Sequence, residues 1–214
     1  MIHPSFWSLL IAALFAATPT RAEPFSVRLE ALRSEQTCGA ALIAPDTFVT
    51  AGHCLASNVR GGRMVRAPVA DGTAPIRQSA RHPFFETSPP GAARLPYDVA
   101  LGTLRLNGRL RPAPILPVGE VPVAGEVLTV ETWLRSEERP SRRDCPVLQA
   151  GRIVTLGCSA VSGHSGAPVL RMTPDGPELV AVLVAHQPVA GGGRALAAPL
   201  APRIGALREG IGRL

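Results

Sequence analysis

Prolines and glycines interrupt this chain along its whole length, 22 of the first and 21 of the second in 214 residues. Proline removes a backbone donor and clashes with the preceding helical turn, and glycine costs about 1 kcal/mol at a helical position, so long helices have little room. The segments between the breaks are short and β-favouring. They predict strands at Phe25–Leu32, Ala40–Ile43, Thr47–Ala51, Val99–Leu106, Glu126–Glu131, Gly151–Gly157, Ala167–Met172 and Glu178–Val184. Many short strands of this kind suit a β-barrel or sandwich. Only Pro202–Leu214 has helical apolar spacing, through Ile204, Leu207 and Ile211, and Gly205, Gly210 and Gly212 weaken it.

The N-terminus stands apart. Phe6 to Ala17 is an apolar run of 12 residues, followed by Thr18-Pro19-Thr20-Arg21-Ala22. The run is too short to span a bilayer comfortably, and a small residue follows where a signal peptidase cuts. Residues 1–22 therefore read as a signal peptide, with a buried N-terminal helix as the competing reading. The remaining residues, roughly 190, fit one large all-β domain or two small ones. The Pro-rich segment Arg111–Pro122 divides them into two β-domains, 23–115 and 116–214, the second ending in the helix; neither half shows a sequence repeat. No other stretch approaches transmembrane length, so the expectation is a secreted or periplasmic monomer without membrane association after leader removal.

A net charge of +6 raises the question of an acidic partner. The basic residues are all arginine and scattered, the densest group, Arg135–Arg143, is partly neutralised by Glu137 and Glu138, and aromatics make up only 4%. That is too few for a base-stacking platform, and no nucleic-acid partner is expected. Cys38, Cys54, Cys145 and Cys158 form an even set behind a leader, which reads as two disulfides in an oxidising compartment. Three pairings are open; the local one closes two modest loops, each contributing about 3 kcal/mol in the chain-entropy account. No C-x-x-C or H-x-x-x-H spacing exists, so neither metal nor cofactor is expected.

Three segments carry chemistry. Thr50-Ala51-Gly52-His53-Cys54 puts a histidine, the natural proton shuttle near neutral pH, just beyond a strand end. In Tyr97-Asp98-Val99-Ala100-Leu101 a carboxylate leads directly into an apolar strand, where it needs a partner to offset burial. Gly163-His164-Ser165-Gly166-Ala167-Pro168 flanks one serine with glycines, which permits a tight backbone and aims the amides of Gly163 and Ser165 at a developing oxyanion. Taken singly, these are a surface histidine, a turn aspartate and a Gly-rich hairpin.

Together they resemble the trypsin-like serine proteases, from about Cys38 to Pro199. Cys38-Gly39-Ala40-Ala41-Leu42-Ile43 is similar to that family's C-G-x-x-L-I segment, Thr50–Cys54 to T-A-A-H-C, Arg81-His82-Pro83-Phe84 to its H-P stretch, Tyr97–Leu101 to D-I-A-L and Gly163–Pro168 to G-D-S-G-G-P. The resemblance implies two antiparallel β-barrels with the site between them, a peptide or protein substrate, Ser165 as nucleophile, His53 as proton shuttle, and Asp98 fixing the His53 tautomer. It also implies the amides of Gly163 and Ser165 as oxyanion donors and a Cys38–Cys54 disulfide, leaving Cys145–Cys158 as the second. The sequence departs from the family in three places. His164 replaces the acidic residue that pairs with a newly cut N-terminus in zymogen-activated relatives, and no I-V-G-G-like activation sequence is present, which resembles bacterial secreted members. Ala167 replaces a glycine. Val180–His186 lacks the usual Ser-Trp-Gly pocket wall.

By the same resemblance the specificity pocket has its floor near Ser159 and Ala160, with no carboxylate to pair a basic side chain, and His186 near the opposite wall, where histidines contact acidic side chains in glutamate-specific relatives. Two rivals remain. Gly163-His164-Ser165 also begins many α/β-hydrolase nucleophile elbows, with Asp175 and His186 following in that family's order, but only 49 residues follow Ser165. The other rival is a catalytically silent protease-fold binding module.

Overall fold

The computed structural model describes residues 23–31, 36–55, 63–66, 73–105, 113–133, 139–190 and 192–213. The expected leader, residues 1–22, lies outside the described residues, as do Leu32, Leu106, Arg111 and Leu214 at the ends of predicted elements. Among the described residues no helix is long and apolar enough to cross a membrane.

Six strands make a first barrel: β1 (Val27–Ala31), β2 (Thr37–Ala44), β3 (Thr47–Thr50), β4 (Arg63–Arg66), β5 (Thr73–Arg81) and β6 (Ala100–Leu104). They pair antiparallel in the ring β1-β2-β3-β6-β5-β4, and β4 returns to β1. Six more follow: β7 (Val127–Thr132), β8 (Ser141–Gln149), β9 (Val154–Leu156), β10 (Pro168–Thr173), β11 (Gly176–Val189) and β12 (Gly192–Pro199). This sheet runs β7-β8-β9-β12-β11-β10 and curls until β10 meets β7 at Val169–Val130 and Leu170–Thr129. The second half thus repeats the strand order of the first, although the sequence carries no repeat. The all-β double barrel expected from the sequence is the architecture found, with a C-terminal helix α2 at Ile204–Gly212.

Burial explains which strands were legible. In β11 the run Leu179–Val184 is buried throughout because its two faces meet different cores. Leu179, Val182 and Val184 join the core of the first barrel, whereas Val180, Ala181 and Leu183 join that of the second. A strand covered on both faces reads as one continuous apolar run. Strands β4, β5, β8 and β12 were not predicted. In β8 only Cys145 and Val147 are buried, and five of the eight residues of β12 are Gly or Ala, types with little β-propensity. Pairing to neighbours, not local preference, makes them strands. Between β5 and β6 lie a short helix α1 (Pro83–Thr87) and a 3-10 turn at Leu95–Tyr97.

The first described residues and the C-terminal helix each cross over. Helix α2 packs against β5 and β6 of the first barrel, with Leu207 fully buried in that core. Residues 23–26 lie instead on β7 and β8 of the second barrel, where Phe25 and Ser26 donate to Glu131. The Pro-rich connector bonds to both halves, through Leu116 N–H to Leu42 O on one side and Leu179 N–H to Pro117 O on the other.

Candidate active site

His53 sits in a 3-10 turn, Gly52–Leu55, that starts one residue after β3 ends. The Cys38–Cys54 disulfide ties that turn back to β2. Asp98 reaches it from just ahead of β6, the strand paired with β3, with both carboxylate oxygens engaged. Oδ1 accepts from the His53 backbone N–H at 2.7 Å and Oδ2 lies 2.6 Å from His53 Nδ1. The carboxylate side chain is 6% exposed and the imidazole 41%, so one edge of the ring faces protein and the other solvent.

The backbone at Asp98 accounts for this aim. Its φ of −76° and ψ of 57°, with Val99 N–H donating to Tyr97 O at 2.8 Å, describe an inverse γ-turn centred on Asp98. The turn follows the Leu95–Tyr97 segment and opens into β6. Gly52 leaves room opposite: a Cβ there would lie 3.0 Å from Asp98 Oδ1.

Ser165 belongs to the turn between residues 161 and 167, where Gly163 and Gly166 have positive φ of 98° and 76°. The N–H groups of His164, Gly166 and Ala167 donate to Val161 O, Leu183 O and His164 O; among the described residues those of Gly163 and Ser165 have no protein acceptor. His164 folds back to accept from Val161 N–H through Nδ1 at 3.4 Å, so the histidine that departs from the family pattern caps its own loop.

The two barrels meet at this turn. Gly39 N–H donates to Ser165 O at 2.7 Å, and Thr50 Oγ1 donates to Gly39 O. A Cβ on Gly166 would fall 2.1 Å from Thr50 Oγ1, and one on Gly39 2.7 Å from Ala167 Cα. Only glycine permits that closeness, and it brings the Ser165 turn against Thr50 and Ala51, just ahead of His53. Among the described residues no hydrogen bond joins Ser165 to His53, a looseness common in active sites without substrate.

A cavity of about 300 Å³ opens beside Ser165. Ala160, Val161, Leu183 and Val184 give its apolar wall, and Ser162, His164 and His186 its polar groups; no carboxylate lines it. Of the three residues expected at the specificity pocket, Ala160 and His186 line this cavity, while Ser159 lies outside it and its hydroxyl accepts from Arg143 at 3.1 Å. Cys38, His53 and Cys54 gather ligating atoms within 4.8 Å, but both sulfurs are held in the disulfide, leaving one imidazole as donor.

The trypsin family matches residues 15–202 of the chain. The chain belongs to the trypsin family. Human kallikrein-15 is 32% identical over 151 residues, 65% of this chain and 55% of the relative, so the chain spans about half the length of that protein. Membership in the trypsin family supports a peptidase function in general, and the two disulfides, Cys38–Cys54 and Cys145–Cys158, are in keeping with secretion.

Two features of this trypsin-family chain have no local sequence signal. Glu131 is fully buried, yet accepts from Phe25 N–H, Ser26 N–H, Ser26 Oγ and Arg142 Nε. Trp133 Nε1 completes the network on Ser26 Oγ, and Arg142 also reaches Glu23 O. The second feature is a cluster behind Asp98. Tyr97 stacks on His82 and its hydroxyl accepts from Arg152 of the second barrel at 2.6 Å. Burial, then the nearby Arg203, hold the His82 pKa below 6.5, and burial lowers that of Arg203.

Proposed function

We propose that this protein is a secreted serine endopeptidase of the bacterial type, working through an acyl-enzyme. Ser165 attacks the scissile carbonyl, His53 takes its proton and returns it to the leaving amine, and Asp98 holds the imidazole with its proton on Nδ1 and stabilises the cation that forms. The unengaged amides of Gly163 and Ser165 receive the oxyanion. In this reading residues 1–22 are the leader, and 23–115 and 116–214 supply one barrel each. The observation that carries it is the double hold of Asp98 on His53, through the backbone N–H and through Nδ1. A surface histidine has no need of a buried carboxylate aimed at both groups.

A fluorophosphonate probe tests the reading. The wild-type protein is expected to label at one serine, and Ser165→Ala to remain unlabelled under the same conditions. Wild-type protein that stays unlabelled favours the silent binding module instead.

The cavity beside Ser165 supports a substrate preference that is not trypsin-like. With no carboxylate and with His186 and His164 on its polar side, it offers nothing to pair an arginine or lysine side chain. Cleavage of a random peptide library is expected to show acidic or small residues before the cut. Dominant cleavage after Arg or Lys would sink this preference, and an absence of cleavage after Glu would remove the part given to His186.

A further inference from the structure

The sequence contains Arg81-His82-Pro83-Phe84, a stretch to which the proposed reaction assigns no role. Its histidine is 5% exposed and flanks Asp98 on both sides. The His82 N–H donates to Val99 O at 3.0 Å, the residue after the aspartate. Its ring stacks on Tyr97, the residue before, with centroids 5.0 Å apart and planes inclined at 30°. Tyr97 and Val99 are the two ends of the inverse γ-turn that aims the carboxylate.

We infer that His82 is a positioning residue for Asp98, bracing both ends of its turn so that the carboxylate keeps its two bonds to His53. The inference rests on the proposed role of Asp98.

The surroundings are built to keep the ring still and neutral. His82 Nδ1 accepts from Phe84 N–H at 3.3 Å as the N-cap of α1, with Pro83 in the first turn setting the helix direction. Only an unprotonated Nδ1 can accept that bond. Phe84 meets Tyr97 edge-on at 5.2 Å, and Arg152 holds the Tyr97 hydroxyl from the opposite barrel. Arg203, at the start of α2, places a buried positive charge nearby, bonded to Pro199 O and Arg152 O. Arg81 is engaged with Glu86. Arg203 is thus the charge that acts on the ring and Arg152 stands beyond Tyr97, while Glu86, the nearest carboxylate by chain position, is held by Arg81 and Asp98 is turned towards His53. A proton on His82 would add a positive charge to that of Arg203 and abolish the cap.

Two substitutions separate the ring from the cap. His82→Asn keeps a side-chain acceptor for Phe84 N–H and removes the stack on Tyr97. His82→Phe keeps an aromatic face and removes the acceptor. The readouts are kcat and KM per active site titrated, and the low-field proton resonance of His53 Nδ1–H bonded to Asp98. His82→Asn is expected to lower kcat about 10- to 100-fold with KM unchanged, the scale of a small misplacement of a catalytic group, and to broaden or shift the resonance. His82→Phe is expected to restore both. An Asn variant with wild-type resonance and kcat overturns the inference, and so does a Phe variant that falls as far as Asn. The resonance needs no substrate. A wild-type protein that shows it but hydrolyses no peptide counts against the proposed function, and the resonance comparison still decides the role of His82.

Discussion

Asp98→Asn is expected to lower kcat by about 10⁴-fold at neutral pH with KM changed little, the size of effect that a wrong histidine tautomer has in Ser-His-Asp catalysis. The substitution is nearly isosteric, and the amide oxygen can still accept from the His53 backbone N–H, now at 2.7 Å from Oδ1. The amide NH2 then faces Nδ1, where Oδ2 now lies 2.6 Å away. Two donors cannot share that bond, so Nδ1 becomes the acceptor and the ring proton moves to Nε2, the nitrogen that has to take the proton of Ser165. Fluorophosphonate labelling should slow in parallel with kcat, while thermal stability changes little. Steady-state kinetics beside a thermal melt checks both; an Asn variant within tenfold of wild type would mean that Asp98 is only a structural partner of the His53 turn.

Glu131→Ala is expected to destabilise the fold by about 3–5 kcal/mol, the penalty for breaking a buried charge network by removing one partner. The carboxylate is 0% exposed and collects donors from Phe25, Ser26 and Arg142. Without it, two backbone N–H groups lose their acceptor at once and Arg142 keeps Glu23 O and the face of Phe25 but no carboxylate. At about 2–4 °C per kcal/mol for a chain of this size, the melting temperature should fall by roughly 10 °C. Glu131→Gln keeps an acceptor and should lose less. Thermal melts of the two variants rank these terms, and a loss under about 1 kcal/mol, the scale of a surface ion pair, would show that residues 23–26 are held by something other than this carboxylate.

The Glu131 network also marks the limit of sequence reading. Ser26 and Glu131 are 105 residues apart, and neither has a neighbour in the chain that suggests the other. A glutamate in a predicted strand reads as solvent-facing, because burial of a carboxylate is unfavourable until its partners are known. His82, Tyr97, Arg152 and Arg203 pose the same difficulty: they come from a helix cap, a 3-10 turn, the loop before β9 and the start of α2. The surroundings of Ser159 are smaller in scale but alike in kind. A count back from Ser165 locates a residue along the chain, whereas the choice between cavity and Arg143 depends on the neighbouring strand.

The candidate centre was legible for the opposite reason. Glycines at positions 39, 52, 163 and 166 and the cysteines closing a short loop answer to backbone geometry: a positive φ at 163 and 166, a neighbour closer than a Cβ allows at 39 and 166, a tight one at 52. The neighbours lie far off in the chain, Ala167 for Gly39, Thr50 for Gly166 and Asp98 for Gly52, but each demand falls on one residue type at one position, where it can be read. Read alone, then, the residues yield an all-β chain of short strands and the His53, Asp98 and Ser165 segments in trypsin-family order. Only the folded chain makes strands of polar β8 and of the Gly- and Ala-rich β12, repeats the strand order of the first half in the second, carries residues 23–26 and α2 each to the opposite barrel, and selects the side chains that line the cavity beside Ser165. Those outcomes depend on free energies shared between residues far apart in the chain, in strand pairing, burial on two faces and satisfaction of buried charge, and they acquire a value only when both partners are in place.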